Sequence, residues 1–180
     1  MPRADYVAAR ESWLCPECSA VRPEVRAVSI RIDEALPRGV LTFVNGIGLS
    51  LVKLQFLDVV LGQPVVDEEL HLGEVRNVEG EVVDGWATFR GKRRLIVRGS
   101  KNVSCRRCAT CGLVHYFALG KQYLFPTPPS EGRVFESHLG GLILPDNAVD
   151  PSAVKRWPGI YVERLTVSDS PLDGLPDQLR

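Results

Sequence analysis

Two Cys-x-x-Cys pairs stand far apart in this chain, Cys15-Pro16-Glu17-Cys18 near its start and Cys108-Ala109-Thr110-Cys111 beyond its middle. A tight Cys-x-x-Cys turn offers two sulfurs to one ion, and two such turns complete the four-sulfur tetrahedron of a structural zinc site. A fold that joins them must bring the two pairs together across residues 19–107, 89 in all. That is far more than a minimal zinc ribbon contains, so the metal would tie the N-terminal segment to the middle of the chain. Closing so long a loop restricts the unfolded chain, which makes folding depend on the ion.

A fifth cysteine leaves the register open. Cys105-Arg106-Arg107-Cys108 is also Cys-x-x-Cys and overlaps the second pair. Gly112 favours Cys108 and Cys111, because a knuckle commonly needs unhindered backbone after its second cysteine. Cys15, Cys18, Cys108 and Cys111 are therefore the expected ligands, with Cys105 and His115 as alternates. Arg106 and Arg107 would favour thiolates in either register. His115 lies in an apolar, strand-like run, where a packed or surface histidine is the plainer reading.

The first residues, Met1-Pro2-Arg3-Ala4-Asp5-Tyr6, have no apolar core of a secretion signal. A cytoplasmic location is expected, and there thiols stay reduced and serve metals rather than disulfides. Neither pair has the strand-then-helix setting of a redox Cys-x-x-Cys. A catalytic zinc keeps one position open, which four cysteines would not. Ser137-His138 has no nucleophile elbow, and Gly46-Ile47-Gly48 lacks the third glycine of a dinucleotide fingerprint. A structural zinc and no enzymatic activity are the expectation.

Hydrophobic residues at 44% and charged residues at 24% are the proportions of an ordinary globular chain. One domain is expected, with zinc-ribbon elements at 13–20 and 105–118, an inserted α+β segment at 21–104 and a β-rich segment at 119–180. Alternation predicts strands at 28–32 and 40–44. The run 50–61 suggests a helix capped by Ser50 and stopped by Gly62, with a buried strand as the alternative. Short strands at 74–78, 81–83, 86–89 and 94–97 form a meander, with Glu79-Gly80, Asp84-Gly85 and Arg90-Gly91 as tight turns. Further strands are expected at 113–119, 122–125, 133–136, 141–144 and 160–167. Short helices are expected at 4–13 and at 151–157, the latter with Asp150 as cap and Pro151 first. The turn-rich tail 170–176 would lie over the surface. The predicted class is α+β, mostly antiparallel sheet with a few short helices, stapled by a zinc-ribbon-like four-cysteine site.

The 22 basic and 22 acidic side chains cancel, so no net field favours a nucleic-acid backbone or an anionic membrane. The longest apolar stretch, 47–61, is interrupted by Ser50, Lys53, Gln55 and Asp58 and is too short to cross a bilayer. Two local charge clusters remain. Arg93, Arg94, Arg106 and Arg107 form a basic patch that a nucleic-acid-binding ribbon would use, although charged flanks of a turn explain it equally simply. Asp67-Glu68-Glu69 offers an acidic contact surface or, more plainly, a solvated helix start. Trp13, Trp86 and Trp157 suit partly buried core positions.

With both cysteine motifs placed, the chain resembles the double-CXXCG motif family, myxobacterial paralogues of which some are described as immunity proteins of contact-delivered toxin systems. The resemblance rests on Cys15-Pro16-Glu17-Cys18 after Trp13, on Cys108-Ala109-Thr110-Cys111-Gly112 far downstream, and on a mixed C-terminal region closing near 160–167. The chain departs from the pattern at Ser19, where the motif has glycine, and in carrying Cys105. The resemblance implies a cytoplasmic protein that binds and neutralises a cognate toxin, with zinc as scaffold. Asp67, Glu68 and Glu69 would then steer a basic toxin.

Overall fold

A five-stranded sheet carries the fold, in a computed structural model that describes residues 11–32, 36, 38–44, 49–124, 134–138, 141–146 and 149–167. In chain order the elements are β1 (Ile30–Arg31), β2 (Leu41–Val44), β3 (Leu49–Lys53), α1 (Leu54–Leu61), α2 (Gln63–Glu69), β4 (Leu70–Arg76) and β5 (Val82–Gly91). There follow β6 (Arg94–Leu95), β7 (Arg98–Arg107), β8 (Val114–Leu124), β9 (Phe135–Ser137), β10 (Leu142–Ile143), α3 (Pro151–Lys155) and β11 (Thr166–Val167). The large sheet runs β1-β4-β5-β3-β2, and two three-stranded sheets run β10-β9-β6 and β11-β8-β7. All the long pairings are antiparallel; the parallel ones, β1 with β4, β6 with β9 and β11 with β8, are two residues each. The class is α+β and strand-rich.

Both faces of the large sheet are buried. Trp13, Leu14, Val21 and Val28 cover one face over Ile30, Leu49, Leu51, Val75 and Trp86. On the other, Phe56, Leu57 and Val60 of α1 and Val66 of α2 pack on Val52, Leu70 and Phe89. Trp157 closes this side edge-on against Phe56, 5.7 Å between ring centres. Val28 lies against the sheet only because residue 73 is glycine. A Cβ there would stand 2.3 Å from the Val28 carbonyl oxygen and 2.5 Å from Thr88 Oγ1, which donates a hydrogen bond to that same oxygen.

Burial on two faces corrects the helix expected over 50–61. Residues 49–52 are all buried, Ser50 included, as in a central strand, so the outward polar face that marks a half-buried strand is missing. The helix starts only at Leu54, Ser50 is a buried strand residue, and no side chain caps α1. Gly62 does end it, at φ 78°, but Pro64 then opens α2 instead of terminating structure. Asp67-Glu68-Glu69 therefore closes a helix. Glu69 is buried at 5% exposure and paired with Arg93, so the acidic trio is not a free surface.

The turn at Glu79-Gly80 forms, but Asp84-Gly85 does not reverse the chain. Gly85, at φ 77°, lies where β5 slips register against β4, and the strand continues through Arg90 and Gly91 to turn at Lys92 and Arg93. The two strands expected at 113–119 and 122–125 are one, β8, which runs through Gly120. Over 160–167 only β11 is strand. The Asp150 cap is present, its carboxylate accepting from the Ser152 N–H at 2.8 Å. Residues 11–13 are helical; the rest of the N-terminal helix, Gly46-Ile47-Gly48 and the tail 170–176 lie outside the described residues.

His138 links two of the sheets. Its N–H donates to the Leu95 carbonyl, its Nδ1 accepts from the Val97 N–H at 3.2 Å, and its ring lies against Tyr116. Burial, aided by Arg94, pushes its pKa down to about 4, and the carbonyls of Tyr116 and Leu95 only partly offset this. The unfolded chain, with an ordinary imidazole near 6.5, takes up the proton first as pH falls. This contribution to stability is thus complete above that value and is lost progressively toward pH about 4. We expect denaturant unfolding to show a loss on the order of 2 kcal/mol across this range, allowing for partial exposure. His138→Asn, which keeps an acceptor opposite Val97, should remove most of the slope.

Candidate metal centre

The chain builds the same knuckle twice. In the first, the Cys15 N–H donates to the Ala20 carbonyl at 2.8 Å and the Ser19 N–H donates to the Cys15 carbonyl at 2.8 Å. In the second, the Cys108 N–H donates to Leu113 and the Gly112 N–H to Cys108, both at 2.9 Å. A bridge between Leu14 and Val21 flanks the first, as the pair Arg107 and Val114 flanks the second. The residue after the second cysteine is left-handed in both, φ 70° at Gly112 and φ 56° at Ser19. Ser19 thus performs the turn that glycine performs in its counterpart, against a steric cost that glycine does not carry.

The knuckles meet through their sulfurs. Cys15 Sγ lies 3.7 Å from Cys108 Sγ, and Cys18 Sγ lies 3.7 Å from Cys111 Sγ. All four sulfurs are within 4.8 Å of one another. A tetrahedral ion bonded to sulfur at about 2.3 Å spaces its ligands about 3.8 Å apart, so the cluster has the size and shape that such an ion fills. Cys15 and Cys108 are buried, while Cys18 and Cys111 are partly exposed.

The electrostatics suit a cation. The Cys18 N–H, pointed at Cys15 Sγ, outweighs burial and, helped by the Glu17 N–H, lowers the Cys15 pKa to about 7. At Cys108 the Cys111 N–H acts in the same sense, but burial and the neighbouring thiols prevail and the pKa rises. Burial pushes Cys18 and Cys111 up as well.

Glu17 latches the knuckles, and sequence reasoning missed it. Its Oε2 accepts from the Thr110 N–H at 3.2 Å and the Thr110 hydroxyl at 2.6 Å, and lies 3.4 Å from Cys108 Sγ. The Thr110 hydroxyl, followed by the Cys108 thiol, holds this carboxyl below its ordinary range. The available signal was positional, since Glu17 and Thr110 each precede the second cysteine of a knuckle.

Cys105 and His115 stand outside the cluster. Cys105 is on β7 opposite Tyr116, and His115 is on β8 opposite Arg106. The basic patch is largely engaged internally. Arg93 pairs with Glu69, Arg94 donates to the His138 carbonyl at 3.3 Å, and Arg107 donates to the Gly112 carbonyl at 3.0 Å. Arg106 is exposed beside the second knuckle.

The chain matches no family model, no curated protein and no solved structure. Among the described residues no helix is long and apolar enough to cross a membrane.

Removing one ligand should release the metal and unlock the long loop. Cys15→Ser or Cys111→Ser is expected to abolish stoichiometric metal by elemental analysis and to cost roughly 3–5 kcal/mol in denaturant unfolding, while Cys105→Ser keeps the metal. Ser19→Gly should retain the metal and raise stability by about 1 kcal/mol, because the left-handed turn no longer opposes a Cβ.

Proposed function

We propose that the chain is a non-enzymatic binding protein, stapled by one structural zinc, whose partner is another protein. Four sulfurs at tetrahedral spacing favour zinc, and four protein ligands leave no position for a substrate. Ligands that must be thiolates fit a reducing cytoplasm.

The observation that carries the partner reading is a pair of exposed apolar side chains beside the second knuckle. Phe117 is 52% exposed and Leu119 49%, at alternate positions of β8 and so on one face. Their cross-strand neighbours on β7 are Ser104 and Lys101, and Arg106 lies opposite His115 on the same face. Apolar anchors rimmed by cations suit a protein surface with a hydrophobic depression and acidic edges. The sharpest version is immunity, capture of a cognate toxin by this face, which the resemblance of the paired cysteine motifs supports. It differs from the acidic surface expected at Asp67, Glu68 and Glu69, because Glu69 is engaged with Arg93.

Nucleic-acid binding through Arg93, Arg94, Arg106 and Arg107 is the second reading. It has less support, since three of these guanidiniums already bond within the chain. Affinity that falls steeply with added salt would favour it, and absence of binding at low salt would remove it.

The partner reading is tested by expressing the product of the adjacent reading frame with and without this chain. We expect the wild-type chain to suppress its toxicity. The double variant Phe117→Asp and Leu119→Asp should bind it at least roughly a hundredfold more weakly, with zinc content and circular dichroism unchanged. Full protection by the double variant would reject this face as the working surface.

A further inference from the structure

On the other side of the first knuckle the chain forms a cleft that neither the metal nor the partner face uses. Residues 23–26 make one wall, and the paired ends of β4 and β5, with His71, Arg90, Gly91 and Lys92, make the other. The cleft is open to solvent and spans about 580 Å³.

Its lining is cationic. His71 and Arg90 face each other as a cross-strand pair, so their side chains share one face of the sheet. Arg26 has no acidic partner among the described residues. The Lys92 ammonium donates to the Asp67 carbonyl at 2.7 Å. Against these three cations stand Glu24 in the wall and Glu136 behind it, whose Oε2 lies 3.8 Å from Arg90 Nε and accepts from the Gly91 N–H at 3.1 Å. Among the residues that line the cleft, Arg26, Arg90 and Lys92 outnumber Glu24.

The charge is also held in place. Arg90 Nη1 donates to the carbonyls of Arg22 at 3.0 Å and Val25 at 2.8 Å, pinning the wall that carries Arg26. Arg22 is itself fixed on the knuckle, through Nε to the Leu14 carbonyl at 3.1 Å and its N–H to Trp13 at 2.9 Å. The crowding registers at His71, whose pKa burial lowers and Lys92, Arg26 and Arg90 lower further. An anion seated among them would reverse that strain.

We infer that this cleft is a phosphate-type oxyanion site, with Arg26, Arg90, Lys92 and His71 around the phosphoryl oxygens. Guanidinium and ammonium donors form the charge-assisted bonds that such oxygens favour. The cleft is larger than one ion needs, so a small phosphorylated molecule fits with its phosphoryl end among the cations. This inference is independent of the partner face.

The test uses the zinc-loaded full chain at low salt, titrated in calorimetry with inorganic phosphate and separately with AMP, while the His71 ring resonances are followed. We expect saturable binding at one site with a dissociation constant in the millimolar range or below. The His71 signals should move, and Arg26→Ala should weaken binding roughly tenfold at unchanged zinc content. Lys92→Ala is a second such variant, and Arg90 is left intact because it holds residues 22–25. AMP binding more than about tenfold tighter than phosphate assigns a phosphorylated small molecule, and equal affinities assign the free ion. No saturable binding of either, or binding by Arg26→Ala equal to wild type, overturns the site.

Discussion

The contact that the rest of the molecule hangs on is the meeting of two knuckles 93 residues apart in sequence. Everything between them, the whole five-stranded sheet with α1 and α2, is a loop closed by four sulfurs. A cross-link over a loop of this length removes on the order of 4–5 kcal/mol of unfolded-chain entropy, comparable to the net stability of a small domain. The knuckles are also built into their surroundings. The first continues from Trp13 and Leu14 and returns through Val21, all buried on the sheet, and the second is the tip of the β7–β8 hairpin. The four-cysteine cluster thus joins the layer over the large sheet to the hairpin, and Glu17 adds direct bonds to Thr110 across the two turns.

How legible this was depended on the range of the signal. The cysteine pairs carry their chemistry within four residues, and the class of the fold followed from alternation and glycine punctuation. The Asp150 cap with Pro151 behind it is equally local, and it stands where the pattern put it. The central strand β3 failed because burial on two faces erases the period that distinguishes strand from helix; only its neighbours β2 and β5 decide the matter, and their pairing is not local. Asp84-Gly85 failed for a related reason. An Asp-Gly pair signals a sharp backbone, and the fold spends that bend on a register slip within β5 instead of on a chain reversal.

Charge was the least legible property, because its meaning lies in who faces whom. Arg93 and Glu69 belong to clusters of opposite sign in the sequence, yet in the fold they satisfy each other, and Glu69 is buried because of it. Arg90 is hidden in the same run of basic residues, although it is a strut whose guanidinium holds two loop carbonyls. No composition or run length separates such a strut from the exposed Arg106 two strands away.

These roles converge on the metal. Downstream of the first knuckle, Arg22 and Arg90 fix residues 22–26 as one wall of the cationic cleft. Downstream of the second, β8 leaves the knuckle and within a few residues presents Phe117 and Leu119. Each surface is therefore rooted in one half of a single ion site, and side chains on both are ordered by backbone that the sulfurs immobilise. A binding surface gains affinity when its groups are ordered before the ligand arrives, since the cost of ordering is then already met by folding. An ion held by the four sulfurs would serve both proposed surfaces in this way, by ordering the backbone from which they rise.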